Sequence, residues 1–222
     1  MSSQPVVSVK GEATLEVEPE IAQLGVTIMA RDKDRHRALE LLTTRSQHVL
    51  TRVKAYGEAV EKLESQPASV RPEFKDVKAR ERIAGYVATA GLTVTVSDFT
   101  VLGELVTGLA AEELVSVNGP WWNLRPDSPV HRQARLAAAT DAKQRAREYA
   151  EAFGGRLTGL VEAADAGLLA TQPERGAPVF RAMSAVASSS AEPDELSFEP
   201  AKQTVRAQVE ARFTMTPPEF DK

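Results

Sequence analysis

Cysteine is absent from this chain of 222 residues. That absence removes disulfides, thiol nucleophiles and every cysteine-ligated metal centre. It leaves the redox compartment open, because a chain without thiols folds equally well in reducing and oxidising surroundings. Aromatic residues are scarce, at 5%. The core must therefore be built mainly from Val, Leu, Ile and Ala, and the 42% hydrophobic share supplies them. No apolar run approaches the ~20 residues that span a bilayer, so membrane insertion is not expected. No basic run is present either. The net charge is −4, with Arg interspersed among Glu and Asp. Such a surface is mixed and solvated, and it argues against nucleic acid as a partner. Met1 to Val9 lack the basic and apolar regions of a signal peptide. A native start at Met1 implies a cytoplasmic protein; a signal already removed implies a periplasmic or exported one.

What is present is regular. Val7, Val9, Gly11, Ala13, Leu15 and Val17 alternate with polar residues, the period of a strand with one wet face. Glu18-Pro19-Glu20 breaks the run, and Ala22, Leu24, Val26, Ile28 and Ala30 resume it; the two strands read as a hairpin. Asp32 or Asp34 can cap the next helix, which carries Ala38, Leu42, Val49 and Val53 at helical spacing and ends before Gly57. From Glu58 to Arg82 the signal weakens to a loop or hairpin tip, with a short edge strand between Pro67 and Pro72. Ile83 to Val96 reads as a strand and Phe99 to Ala111 as a helix. Leu114 to Leu124 reads as a strand that Gly119-Pro120 bulges or bends.

Ser128-Pro129 opens the clearest helix, since Ser suits the cap and Pro the first helical position. Ala134, Ala138, Ala142, Ala146 and Ala150 form an unbroken ladder at four-residue spacing, and Gly154-Gly155 ends it. A strand from Leu157 to Ala164 follows, then a long Ala/Ser/Pro/Glu stretch at 168–200 expected to be a mobile loop, then a last strand through Val205 to Met215. The expected fold is one α+β domain over 1–222: a mainly antiparallel sheet with three helices on one face, in the order β-β-α-β-β-α-β-α-β-β.

Several segments resemble the SIMPL-domain family. They are Val7-Ser8-Val9-Lys10-Gly11-Glu12-Ala13, Pro19-Glu20-Ile21-Ala22, Gly85-Tyr86-Val87-Ala88, Val94-Thr95-Val96-Ser97-Asp98 with Gly103, and Asp141-Ala142-Lys143 within the Ala-rich helix. Their order and spacing carry the likeness; no one of them is specific alone. The resemblance implies a β-rich sheet with helices on one side, assembly into large oligomers, and no set of catalytic residues.

A search for chemistry returns little. His36 and His48 lie twelve residues apart on one helix, too far to share a metal, and His131 sits in the first turn of another. No Gly-x-Ser-x-Gly elbow and no phosphate-binding loop occurs. Glu12, Glu16, Glu18 and Glu20 form a dense acidic cluster, read as a weak cation site or, more simply, as a solvated edge that discourages strand addition. Trp121 and Trp122 are the candidate interaction surface: adjacent residues of a strand face opposite ways, so one enters the core and the other faces outward, unless neighbouring loops cover both. No catalytic, cofactor-binding or metal-binding residue is assigned, and no cofactor is expected. The chain reads as a non-enzymatic binding or scaffold module, self-associating as a homo-oligomer, with an unknown protein partner also open. The alternative is an enzyme or small-anion-binding protein in which Arg80, Arg82, Arg125 and Arg132 converge with carboxylates.

Overall fold

The computed structural model describes residues 4–77, 80–168 and 198–217. Among these are eight strands and three α-helices, an α+β fold with antiparallel pairing throughout. The chain divides into two compact units, and among the described residues it crosses between them at Val17/Glu18, Arg125/Pro126 and Lys202/Gln203.

The first unit holds a three-stranded sheet in the order β1-β8-β7, with β1 at Val6–Val17, β7 at Leu157–Asp165 and β8 at Gln203–Met215. Helix α3, Pro129–Ala152, lies on one face. Ser128 caps it, its hydroxyl accepting from the Val130 N–H at 3.3 Å, and Pro129 begins it. Gly154, at φ +73, ends it, where a side chain would be strained. All five ladder alanines are buried, and Ala142 retains 1% of its surface. They face the alternating apolar side of β1 and β8. A methyl built on Gly11 would lie 2.6 Å from Ala142 N and 2.7 Å from its Cβ, and closer still to the Ala138 carbonyl. Helix backbone therefore rides on strand backbone, which only Ala above and Gly below permit.

The second unit has β2, Ile21–Asp32, near the middle of a five-stranded sheet. On one side β2 pairs with β5, Arg80–Val96, and on the other with β6, Val115–Asn123. Two short strands share the far edge of β5: β3, Val60–Ser65, pairs with its end and β4, Ser69–Val77, with its beginning. Helices α1, Arg35–Lys54, and α2, Leu102–Ala110, cover one face. The core is aliphatic: Leu24, Val26 and Ile28 of β2 meet Val94 and Val96 of β5, with Val49 and Val53 of α1 and Leu102, Leu105 and Leu109 of α2.

The expected order holds with one strand added, because the weak stretch from Glu58 to Arg82 supplies both β3 and β4. Pro67 falls in the break between them. Pro72 lies within β4, where an edge position tolerates a residue without an N–H. The strands form two sheets rather than one. β1 and β2 do not form a hairpin, since β1 pairs with β8 and β2 with β5 and β6. Glu18-Pro19-Glu20 lacks the Gly or Asn that a tight reversed turn requires. The expected mobile loop at 168–200 lies, from 169 to 197, outside the described residues.

Ala142→Leu should destabilise the protein by ~1–3 kcal/mol, since the new side chain has no space beside Gly11. Gly11→Val should do so at least as strongly. Ala139→Leu, on the exposed side of the same helix, should change little. Urea unfolding of the three variants side by side is the measurement; equal, negligible shifts would show that α3 does not dock through its alanines.

Candidate interaction surface

The tryptophan pair divides between the two faces of the sheet. Trp122, opposite Ala22, packs against the core and meets Phe99 edge-on, the ring centroids 4.9 Å apart at 73°. Trp121, opposite Gln23, points to the other face and keeps 53% of its surface exposed. The β2–β6 register shifts between Gln23 and Gly25, opposite Gly119-Pro120, a cis peptide with Gly119 at φ +110. Beyond that bulge the indole reaches across to β2: a methyl built on Gly25 would sit 3.2 Å from both Cη2 and Cζ3. Gly25 is thus the space into which the indole fits.

A second exposed feature was not legible as such in the sequence. β2 pairs with β5 only as far as Asp32 opposite Tyr86, whereas β4 and β5 continue pairing to Val77 opposite Arg80. Past the end of β2 they form, among the described residues, a two-stranded ribbon. A register shift between Glu73 and Phe74 marks its base, and Gly85 lies there, where a methyl would come within 2.9 Å of the Asp32 carbonyl oxygen. Phe74 and Ile83 are cross-strand partners on this ribbon, 54% and 52% exposed. The only sequence signal is two large apolar residues flanking a charged stretch, and the charge hides it.

The remaining candidates are tied up in ordinary contacts. Arg125 forks onto Glu61, with Nη2–Oε2 at 2.6 Å and Nε–Oε1 at 3.3 Å, and its backbone N–H donates to Glu20 at 3.0 Å. Arg132 lies on α3, and the side chains of Arg80 and Arg82 are outside the described ones. Glu12 pairs with Lys10 at 2.9 Å, and Glu18 with Lys202 at 3.9 Å. Glu16 faces solvent. His48 Nδ1 is 3.4 Å from Glu112, while His36 and His131 stand near the starts of α1 and α3. Among the described residues no group of three or more His, Asp or Glu is arranged to hold a metal. An open depression is lined by Asp32, Lys33, Asp34 and Arg37. Asp34 fills the helix start there by accepting the Arg37 N–H at 3.0 Å, and that bond holds its carboxyl below the usual range. Asp98 is lowered likewise by the hydroxyl and N–H of Thr100.

In the first unit, α3 also closes part of a sheet edge. Among the described residues β1 has no strand on its outer side. Asp141 accepts the Glu12 N–H at 2.9 Å and Arg145 donates to the Lys10 carbonyl at 3.2 Å, while the two side chains pair at 3.0 Å. An i, i+4 ion pair here stands where an added strand would bond.

The sequence matches SIMPL, described as a protein of unknown function (DUF541), over residues 7–213. The chain belongs to the SIMPL family. It is similar to the 26 kDa periplasmic immunogenic protein of Brucella melitensis biotype 1, at 28% identity over 206 residues that cover 87% of this chain and 80% of the relative. The corresponding protein of Brucella abortus, strain S19, matches to the same extent. In this chain the SIMPL-like segments have visible physical tasks. Gly11 admits α3, Asp141 caps the β1 edge, and Gly85 passes the end of β2 where the ribbon begins.

Two outcomes are expected. Asp141→Ala with Arg145→Ala should expose the middle of β1 and raise aggregation, read by light scattering and thioflavin T; unchanged behaviour would remove the edge-closing role. For Asp34, the stabilisation is present while the carboxylate is ionised, above its ordinary range. It is lost as pH falls through the lowered folded value. The melting-temperature gap between wild type and Asp34→Ala should therefore shrink in acid, and a gap independent of pH would contradict this.

Proposed function

We propose that this SIMPL protein is a non-enzymatic binding or scaffold module that associates with copies of itself. The β4–β5 ribbon carries the reading. Two strands without a third neighbour are marginal in water. The cross-strand pair that would support this ribbon, Phe74 and Ile83, leaves more than half of each side chain wet. A second copy packing its own ribbon there would bury both pairs and supply the missing layer. The rival reading, an enzyme or small-anion binder, has less support, because Arg125 already directs its fork to Glu61. The relatives are periplasmic by name. That favours an exported location over a cytoplasmic one for this chain, and fractionation of cells expressing the native gene tests it.

Light scattering on the purified chain should give a mass that is a multiple of 24.0 kDa. Phe74→Asp with Ile83→Asp should lower that mass toward the monomer while the far-ultraviolet circular dichroism stays unchanged. A monomeric wild type across the micromolar range would sink self-association. An unchanged assembly in the double variant would leave self-association standing and remove the ribbon from it.

A further inference from the structure

We propose that the outer face of the five-stranded sheet at Trp121 binds a neutral oligosaccharide of beta-linked pyranose units, glucose or N-acetylglucosamine, by stacking a sugar ring on the indole. This goes beyond self-association and uses a different surface. Trp121 is held in place because its six-membered ring stands over Gly25, and about half of its surface, 53%, is open to solvent. An aromatic ring so placed offers apolar area at little cost in side-chain freedom. A beta-linked pyranose with equatorial hydroxyls presents a flat face of C–H groups that complements it.

The surroundings select for hydroxyl groups rather than for charge or for a protein core. Gln23 lies opposite Trp121 in the ladder, and Asn123 follows two residues later on the same face, its amide 3.4 Å from the Gln23 oxygen. Thr93 is opposite Gly25 and Thr27 two residues further along β2. Amides and hydroxyls both donate and accept, as sugar hydroxyls do. The charges this face carries on β3, Lys62 and Glu64, pair with each other at 2.8 Å and leave little field for an ion. A protein hot spot sits in a well-packed pocket that excludes water, whereas the indole stands on an open sheet face, flanked by Gln, Asn, Thr and Gly. Gly25 has a clear role here: a side chain at that position would lift the ring from the sheet.

The chain has two tryptophans, so Trp122→Phe leaves Trp121 as the only indole reporter. In that background, titration with chitohexaose or cellohexaose should change the emission saturably, and calorimetry on the wild type should give the same affinity. Trp121→Ala should weaken binding by at least about tenfold, and Gln23→Leu should weaken it with the indole still present. Phe74→Asp should bind as the wild type does, which separates this site from the self-association surface. A response to only one sugar identifies the unit and supports the proposal. No saturable response to either, equal affinity in Trp121→Ala, or an equal response to the alpha-linked maltohexaose would overturn it.

Discussion

The contact between α3 and β1 sets the form of the first unit. Gly11 has no side chain, and Ala138 and Ala142 have the smallest ones available, so the helix settles until backbone meets backbone. Close approach maximises dispersion contacts in a chain with few large side chains to fill a gap. It also has a directional result. At that distance the next residues round the helix, Asp141 and Arg145, reach the edge of the strand and satisfy its outward N–H and C=O groups. Packing and edge protection thus follow from one interaction, and enlarging either partner would disturb both.

The second unit solves the scarcity of aromatics differently. β2 is buried on its helix-facing side by leucine, valine and alanine from two helices and a neighbouring strand, while its other side carries Gln, Gly, Thr and Met. Trp122 and Phe99 are spent inside this core. The large apolar groups left outside it in this unit include Trp121, Phe74 and Ile83, each more than half exposed.

Much of the fold was legible because its signals are local. The period of β1, β2 and β8, the Ser128-Pro129 start, the alanine ladder and the alternation at Trp121-Trp122 each depend on a few neighbouring residues. Sheet partnership was not legible, because nothing within Val6–Val17 states that its partner lies near the C-terminus. The strands at 60–77 were obscured by Pro67, Pro72 and dense charge, which propensity penalises and an edge position tolerates. At the candidate surface, period two implied that one of the two tryptophans faces outward, and the structure shows that it is Trp121. The seat on Gly25 and the Phe74–Ile83 pairing needed the register.

Because Val6 is paired with Thr214 and Val17 with Gln203, β1 leaves the ribosome long before the strand it pairs with. Most of the second unit, residues 18–125, lies inside that interval and is complete in sequence while β1 is still unpartnered. Such long-range pairing closes slowly. During synthesis the chain consequently carries most of the inner unit while an amphipathic strand still has both edges open. The Asp141–Arg145 pair can cover one of those edges before β8 arrives to cover the other.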